Sequence, residues 1–321
     1  MGGGARPRPI SSGGSMTEIV DAGPARARRR GRVRLAERPL VWLLPLALLL
    51  LATYVWPAID VIRYSFTDAT LLNPEFSYTT ATYQSAITNP DLPGILWVTL
   101  LFVVSSVVLQ LVLGLLVALA LHRGMLRGLP GVSFVRVVIL CSWIVPGVAS
   151  GIVWQLMFNE ASYGFFNALL KMMHLPPVAW LSDPQMAIWS AVIANVWRGT
   201  AFSMILLYAG LLVIPRSLYE AAAVDGATAM KQLWYITLPQ LRPILLVNTI
   251  LITIATLNSF DLILPLTGGG PGRATEVLSL YAYNTIFRNF DLSNGAVLAV
   301  LMLLISLVFT FLYIRLLPKE E

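Results

Sequence analysis

The chain has 321 residues, 57% of them apolar and 12% charged, with a mean hydropathy of +0.75 and a formal charge of +6. Soluble domains carry about 25% charged residues, so a soluble globular fold is excluded. A spanning β-barrel is excluded too, because the apolar runs are continuous rather than alternating.

Residues 1–39 are Gly-, Ser-, Pro- and Arg-rich and lack an apolar run, which predicts a basic, disordered cytoplasmic tail. An all-α membrane domain follows over 40–318. A helical span needs about 20 mostly apolar residues, and six such runs lie near 40–62, 94–121, 134–158, 185–213, 244–266 and 292–316. The first is too long for a cleavable signal and has no small-residue cleavage site, so it reads as a retained span. The loop 63–93 carries Tyr64, Phe66, Phe76, Tyr78 and Tyr83, which suits interface anchoring or a docked partner. Span three holds the single cysteine, Cys141, read as a small packing residue that makes neither a disulfide nor a metal site. Span four is the most polar, with Asn195 and Arg198 inside it.

Basic residues set the topology. Arg26, Arg28, Arg29, Arg30, Arg32, Arg34 and Arg38 crowd the tail; Arg123, Arg127 and Arg136 follow span two; Arg216, Lys231 and Arg242 follow span four. The positive-inside rule then places both termini and the stretch 215–243 in the cytoplasm. The tail suits anionic lipid rather than nucleic acid.

Between spans four and five, Pro215 breaks the apolar pattern. Ser217 and Glu220 are spaced as a capping box, predicting a helix over 218–224 and a turn at Asp225-Gly226. A second helix from about 227 would present Met230, Leu233, Trp234, Thr237 and Leu238 on one face, stop at Pro239 and restart at Pro243. A helix lying on lipid would show Lys and Arg on its polar face. Here acid and the small residues Ala221, Ala222 and Ala223 dominate, which favours a protein partner.

The run Thr267-Gly-Gly-Gly-Pro-Gly272 is not a nucleotide loop, because Arg273-Ala274 stands where Lys-Ser/Thr is required and the segment faces outward. No catalytic set or metal-ligand spacing is present. His122 and His174 read as solvated residues.

Glu220-Ala-Ala-Ala-Val-Asp-Gly226, followed by Ile236-Thr-Leu-Pro239, resembles the EAA loop of ATP-binding-cassette import permeases. Phe260-Asp-Leu-Ile-Leu-Pro-Leu-Thr-Gly-Gly-Gly-Pro271, Trp180-Leu-Ser-Asp-Pro184 and Asn195-Val-Trp-Arg-Gly199 are similar to the F-like subunit of the carbohydrate (maltose and glycerol-phosphate) branch. The resemblance implies the six-helix fold of type I importer permeases in a bacterial or archaeal plasma membrane. It implies ATPase coupling through Glu220, Ala221, Ala222, Asp225, Gly226 and Pro239. The implied partners are a second, G-like permease, two cytosolic ATP-binding subunits that hold the ATP and Mg, and an extracytoplasmic sugar-binding protein. The chain itself would bind no cofactor and catalyse nothing. The resemblance also points to a midplane sugar pocket at Trp143, Asn195, Gly199, Phe202, Thr256 and Ser259. Arg198 and Asp261, the opposite charges deep in spans four and five, are added on the cost of an unpaired charge in lipid. The rival reading is a secondary transporter working without an ATPase, which would show paired, interrupted helices from inverted repeats.

Overall fold

A computed structural model describes residues 39–73, 75–161 and 163–315, with Gly2; the basic tail expected over 1–39 lies almost wholly outside them. Two compact units divide at Thr53. The first contains α1 (Pro39–Leu50), an apolar helix whose side chains from Trp42 to Leu50 are exposed, followed by a π-helical segment, Leu51–Val55.

The second unit, from Tyr54, opens with α2 (Trp56–Ser65) and the short α3 (Ala81–Ile87). It continues with α4 (Leu92–Leu126), α5 (Val132–Ile144), α6 (Gly147–Met157), α7 (Phe165–Met172) and α8 (Pro184–Val213). Next come α9 (Arg216–Val224), α10 (Ala229–Gln232), α11 (Leu238–Leu257) and α12 (Phe260–Leu266). The last two are α13 (Leu278–Phe287) and α14 (Leu292–Arg315). By length and composition five stretches can each cross a membrane: Trp42–Ser65, Leu92–Leu126, Pro184–Val213, Ala229–Leu257 and Leu292–Arg315. The pair α5 and α6 makes a sixth crossing if taken together.

Helices α4 and α8 form the central pair. Lipid offers no hydrophobic drive for helix association, so close packing of small residues must hold such a pair. Ala187, Ala191, Ala194, Ala201 and Ser203 of α8 are fully buried, as are Ser106 and Ala118 of α4. A Cβ on Gly114 would fall against Ser203. The start of α8 follows from its cap: the Asp183 carboxylate accepts from the backbone N–H of Gln185 and Met186 at 3.0 and 2.8 Å, with Pro184 next. Span four, the most polar, is one unbroken helix.

Three expectations need correction. The third span is broken, with α5 and α6 meeting at 102°. The residue before a proline is pushed out of the helical region, and Val145 (ψ 125°) and Pro146 (ψ 146°) are both extended. The fifth span does not run 244–266. It ends at Leu257, the chain turns at Asn258 and Ser259, and α12 is a separate helix packed on α6. Gly151 allows that contact, since a Cβ there would strike the Leu262 carbonyl and the Pro265 ring. Finally, Cys141 is exposed rather than packed.

The loops 63–93 and 159–184 pack on themselves. The rings of Phe66 and Tyr83 lie 4.9 Å apart and those of Tyr64 and Phe76 5.9 Å apart. In the loop before α8, Asn167 Oδ1 accepts from the Val178 N–H and from Trp180 Nε1 at 3.1 and 2.9 Å, and the Trp180 ring rests on Phe158 and Phe166.

Candidate functional site

All eight residues proposed for a substrate path line one cavity of about 280 Å³. Helix α8 contributes Asn195, Arg198, Gly199 and Phe202; the end of α5 contributes Trp143; the break between α11 and α12 contributes Thr256, Ser259 and Asp261. Gln110, Ile252, Ala255 and Asn258 complete the lining; Asn258 stands out in the sequence as a polar residue within span five, and the other three do not. Gln110 carried a signal, because a lone amide inside a long apolar span is costly unless it has a role.

The cavity exists because two spans break beside it. Unwinding at Asn258 and Ser259 frees polar backbone groups, which are tolerated at membrane depth only where protein or water meets them. Side chains supply partners: Asn258 Nδ2 donates to the Ile254 carbonyl at 2.8 Å and Ser259 Oγ to the Ala255 carbonyl at 2.9 Å. Asn195 then links the walls. Its Nδ2 donates to Thr256 Oγ1 at 3.4 Å, its Oδ1 accepts from Ser259 Oγ at 3.4 Å, and its carbonyl accepts from Gln110 Nε2 at 3.3 Å. These bonds are long, so a ligand hydroxyl can replace them at small cost. Gly199 leaves room for the Gln110 amide, into which a Cβ would project.

Arg198 Nη1 lies 3.5 Å from Asp261 Oδ2, with the two side chains 27% and 35% exposed. Each charge is compensated and neither turns wholly to lipid. Across the cavity, the rings of Trp143 and Phe202 stand 5.6 Å apart at 34°. A lining that joins an apolar ring pair to amide, hydroxyl and compensated charge suits a molecule with an apolar face and many hydroxyls.

The second candidate region is the stretch after α8. Helix α9 carries Glu220, Ala221 and Ala222, the turn holds Asp225 and Gly226 (φ +76°), and α9 has no fully buried residue. Its start differs from expectation. Pro215 occupies the cap position, no side chain caps the helix, and Ser217 lies within it, so the Ser217–Glu220 capping box does not form. Pro215, with φ −61° and ψ 132°, fixes the entry into the first turn instead. The next helix is capped by Thr228 Oγ1, which accepts from the Lys231 N–H at 3.5 Å.

Pro239 does not stop this helix. Ala229–Leu257 is one continuous rod with a π-helical segment at Leu233–Thr237; Pro239 falls in the first turn of α11 and Pro243 inside it. Tyr235, whose carbonyl Pro239 would block in a regular α-helix, lies within the π segment, where the hydrogen-bond ladder is already shifted. Of the expected apolar face, Thr237 is buried, Leu233 and Leu238 are half-buried, and Met230 and Trp234 are exposed. Tyr219 Oη and Thr237 Oγ1, 3.0 Å apart, tie α9 to the π segment.

Of the histidines, His174 is exposed as expected. His122 is not a solvated residue: it is half-buried, and its Nδ1 is closed off from solvent without a hydrogen-bond partner among the described residues. No group of three or more metal-ligating side chains forms among the described residues.

Residues 110–320 match the family model of the binding-protein-dependent transport system inner membrane component. The chain belongs to that family. Over 219 residues this permease is 43% identical to the trehalose/maltose transport system permease protein MalF of Thermococcus litoralis, covering 68% of this chain and 72% of that one. It is 31% identical to the diacetylchitobiose uptake system permease protein DasB of Streptomyces coelicolor, over 95% and 98% of the two chains. Its fold is similar to a chain of a bacterial alginate ABC transporter crystallised with an alginate-bound periplasmic protein, with a TM-score of 0.73 and 20% identity over 86% and 92% of the chains. The permease is thus a multi-pass inner-membrane subunit of an ATP-driven importer, working with a binding protein and an ATPase. Family membership also displaces the secondary-transporter alternative.

Proposed function

We propose that this permease carries a neutral carbohydrate through the cavity at the α5, α8 and α11–α12 junction. The observation that supports this most is the convergence of Trp143, Asn195, Arg198, Gly199, Phe202, Thr256, Ser259 and Asp261 on one cavity. Arg198 and Asp261 compensate each other there, so the lining presents no net charge to an ionic cargo. A sugar would stack an apolar ring face on Trp143 or Phe202 and exchange hydroxyls for the long Asn195, Thr256 and Ser259 contacts. The likeness to permeases named for trehalose, maltose and diacetylchitobiose supports the same class.

The chain acts as the F-like half of a pair completed by a G-like permease, with both termini cytoplasmic and an extracytoplasmic sugar-binding protein delivering cargo. It performs no covalent chemistry; ATP and Mg belong to two cytosolic subunits. Those subunits grip α9 and the turn after it, through Glu220, Ala221, Ala222, Asp225 and Gly226. Narrow alanines let a cleft close around the helix, and the two carboxylates offer partners for arginines. Because Ala229–Leu257 is one rod, a tilt of the elbow moves the α11–α12 break, including Pro239 near its pivot. That motion would switch the cavity between the two faces.

The test is sugar uptake and ATP hydrolysis by the assembled transporter in vesicles. Glu220→Lys should leave membrane insertion intact and abolish uptake coupled to ATP hydrolysis. Normal uptake by that variant would remove the docking role.

A further inference from the structure

A second cavity, of about 380 Å³, lies where α4 and α8 end and α9 begins. It is separate from the sugar cavity and shares no residue with it. Its wall combines two chemistries. Leu119, Leu126 and Leu212 make an apolar side, while Arg123 and Arg216 make a cationic one with the His122 imidazole beside them. Neither arginine has a carboxylate within ion-pair distance among the described residues, although Glu220 stands at the rim. His122 Nδ1 is buried there without a partner among the described residues. The apolar side continues outward through Leu126, Leu212 and Val213, all exposed. The floor holds both ends of the π segment, Leu233 and Thr237, and π segments inside helices frequently mark functional sites.

We infer that this cavity binds an anionic phospholipid of the cytoplasmic leaflet, with its phosphate at Arg123 and Arg216 and an acyl chain along Leu126 and Leu212. Spans α4 and α8 both end here, so the cationic side lies at headgroup height, and the cytoplasmic leaflet is the anionic one. A phosphate brings several acceptor oxygens to two guanidinium groups that have no carboxylate partner among the described residues. A free anion would satisfy the cations and leave the exposed leucine track unused; a lipid fills both. The bound lipid wedges between the ends of the spans and α9, whose only side-chain hydrogen bond to the rod among the described residues is Tyr219 to Thr237. It would set the angle at which α9 is held. This regulatory part rests on the coupling role proposed above; the binding itself does not.

The assembled transporter, reconstituted in nanodiscs holding equal amounts of phosphatidylglycerol and phosphatidylcholine, is extracted and its retained lipid measured by mass spectrometry. Phosphatidylglycerol should be enriched, and Arg123→Gln should retain about fivefold less, as expected for one arginine near an anionic headgroup. Arg127→Gln, whose arginine does not line the cavity, should retain as much as the wild type. Equal retention by Arg123→Gln and wild type would overturn the site. So would an equal loss in Arg127→Gln, which would mean diffuse surface attraction, or displacement of the lipid by inorganic phosphate, which would mean a soluble anion. If α9 engaged no ATPase, phosphatidylglycerol would fail to alter ATP hydrolysis while retention stayed intact, so the two readings fail separately.

Discussion

The carboxylate of Asp261 occupies the space in which any side chain on Gly147 would begin. Gly147 opens α6 just after the Val145-Pro146 break, and Asp261 lies in the first turn of α12 just after the Asn258-Ser259 break. The two interruptions therefore interlock, and the contact holds the carboxylate where Arg198 reaches it.

Gly147→Ala should displace Asp261 and spread the α6–α12 contact. Overpacking of this kind costs about 1–3 kcal/mol, to be read as a lower thermal midpoint of the purified transporter together with reduced uptake. Gly94→Ala is the control, because a Cβ there meets nothing within 4 Å. Equal midpoints for the two variants would show that the interlock carries no strain.

Arg198→Gln leaves Asp261 uncompensated at the cavity wall. Both groups keep about a third of their exposure, so the stability change should stay near or below about 1 kcal/mol. The larger effect falls on uptake, since the cavity gains a net negative charge. The double variant Arg198→Gln/Asp261→Asn restores neutrality and should transport better than either single variant. A double variant no better than the singles would mean that the two charges act independently.

Much of this arrangement was legible in the chain. Hydropathy marked the six apolar runs, and the family resemblance, carried by motifs such as Asn195-Val-Trp-Arg-Gly199 and Phe260-Asp, pointed to residues that line the cavity. The breaks were not legible, because Val145-Pro146 sits inside an apolar run and proline inside a span more often only kinks it. What turns the kink into a 102° corner is tertiary: Gly147 and Gly151 admit α12 against α6. The cap of α9 was misread for a related reason. Ser217–Glu220 has capping-box spacing, yet Pro215 already sets the backbone for entry two residues earlier. Likewise the π segment absorbs Pro239, which no local rule foretells.

Glu160 clamps the loop before α8. Its Oε1 accepts from the Leu181 and Ser182 N–H groups at 2.8 and 2.7 Å, and its Oε2 from Ser182 Oγ at 2.7 Å. Burial pushes its pKa up, but the Ser182 hydroxyl and the two backbone donors outweigh it and hold the carboxylate below its usual value. A lowered folded pKa means that the clamp's stability is complete above the ordinary carboxylate range and is lost as pH falls through the folded value. Protection factors at Leu181 and Ser182, with the intrinsic pH dependence of amide exchange divided out, should therefore fall on acidification in the wild type. In Glu160→Gln they should be low already and constant with pH; a pH-dependent protection factor surviving in that variant would assign the titration elsewhere.

Phe202→Ala removes one face of the Trp143–Phe202 pair. Loss of a stacking surface of this kind costs about 0.5–1.5 kcal/mol beyond burial, which corresponds to roughly a twofold to thirteenfold fall in the uptake rate at limiting loaded binding protein. ATP hydrolysis without cargo should be unchanged. Unaltered uptake would place the sugar elsewhere.

The most direct measurement concerns the elbow itself. In a Cys141→Ala background, which removes the exposed native thiol, Ala221→Cys places a thiol on the exposed surface of α9. Labelling by a membrane-impermeant maleimide in inverted vesicles should be fast for the permease alone and strongly suppressed once the ATPase subunits are bound. Equal labelling in both states would mean that no motor grips α9, and coupling through it would be contradicted.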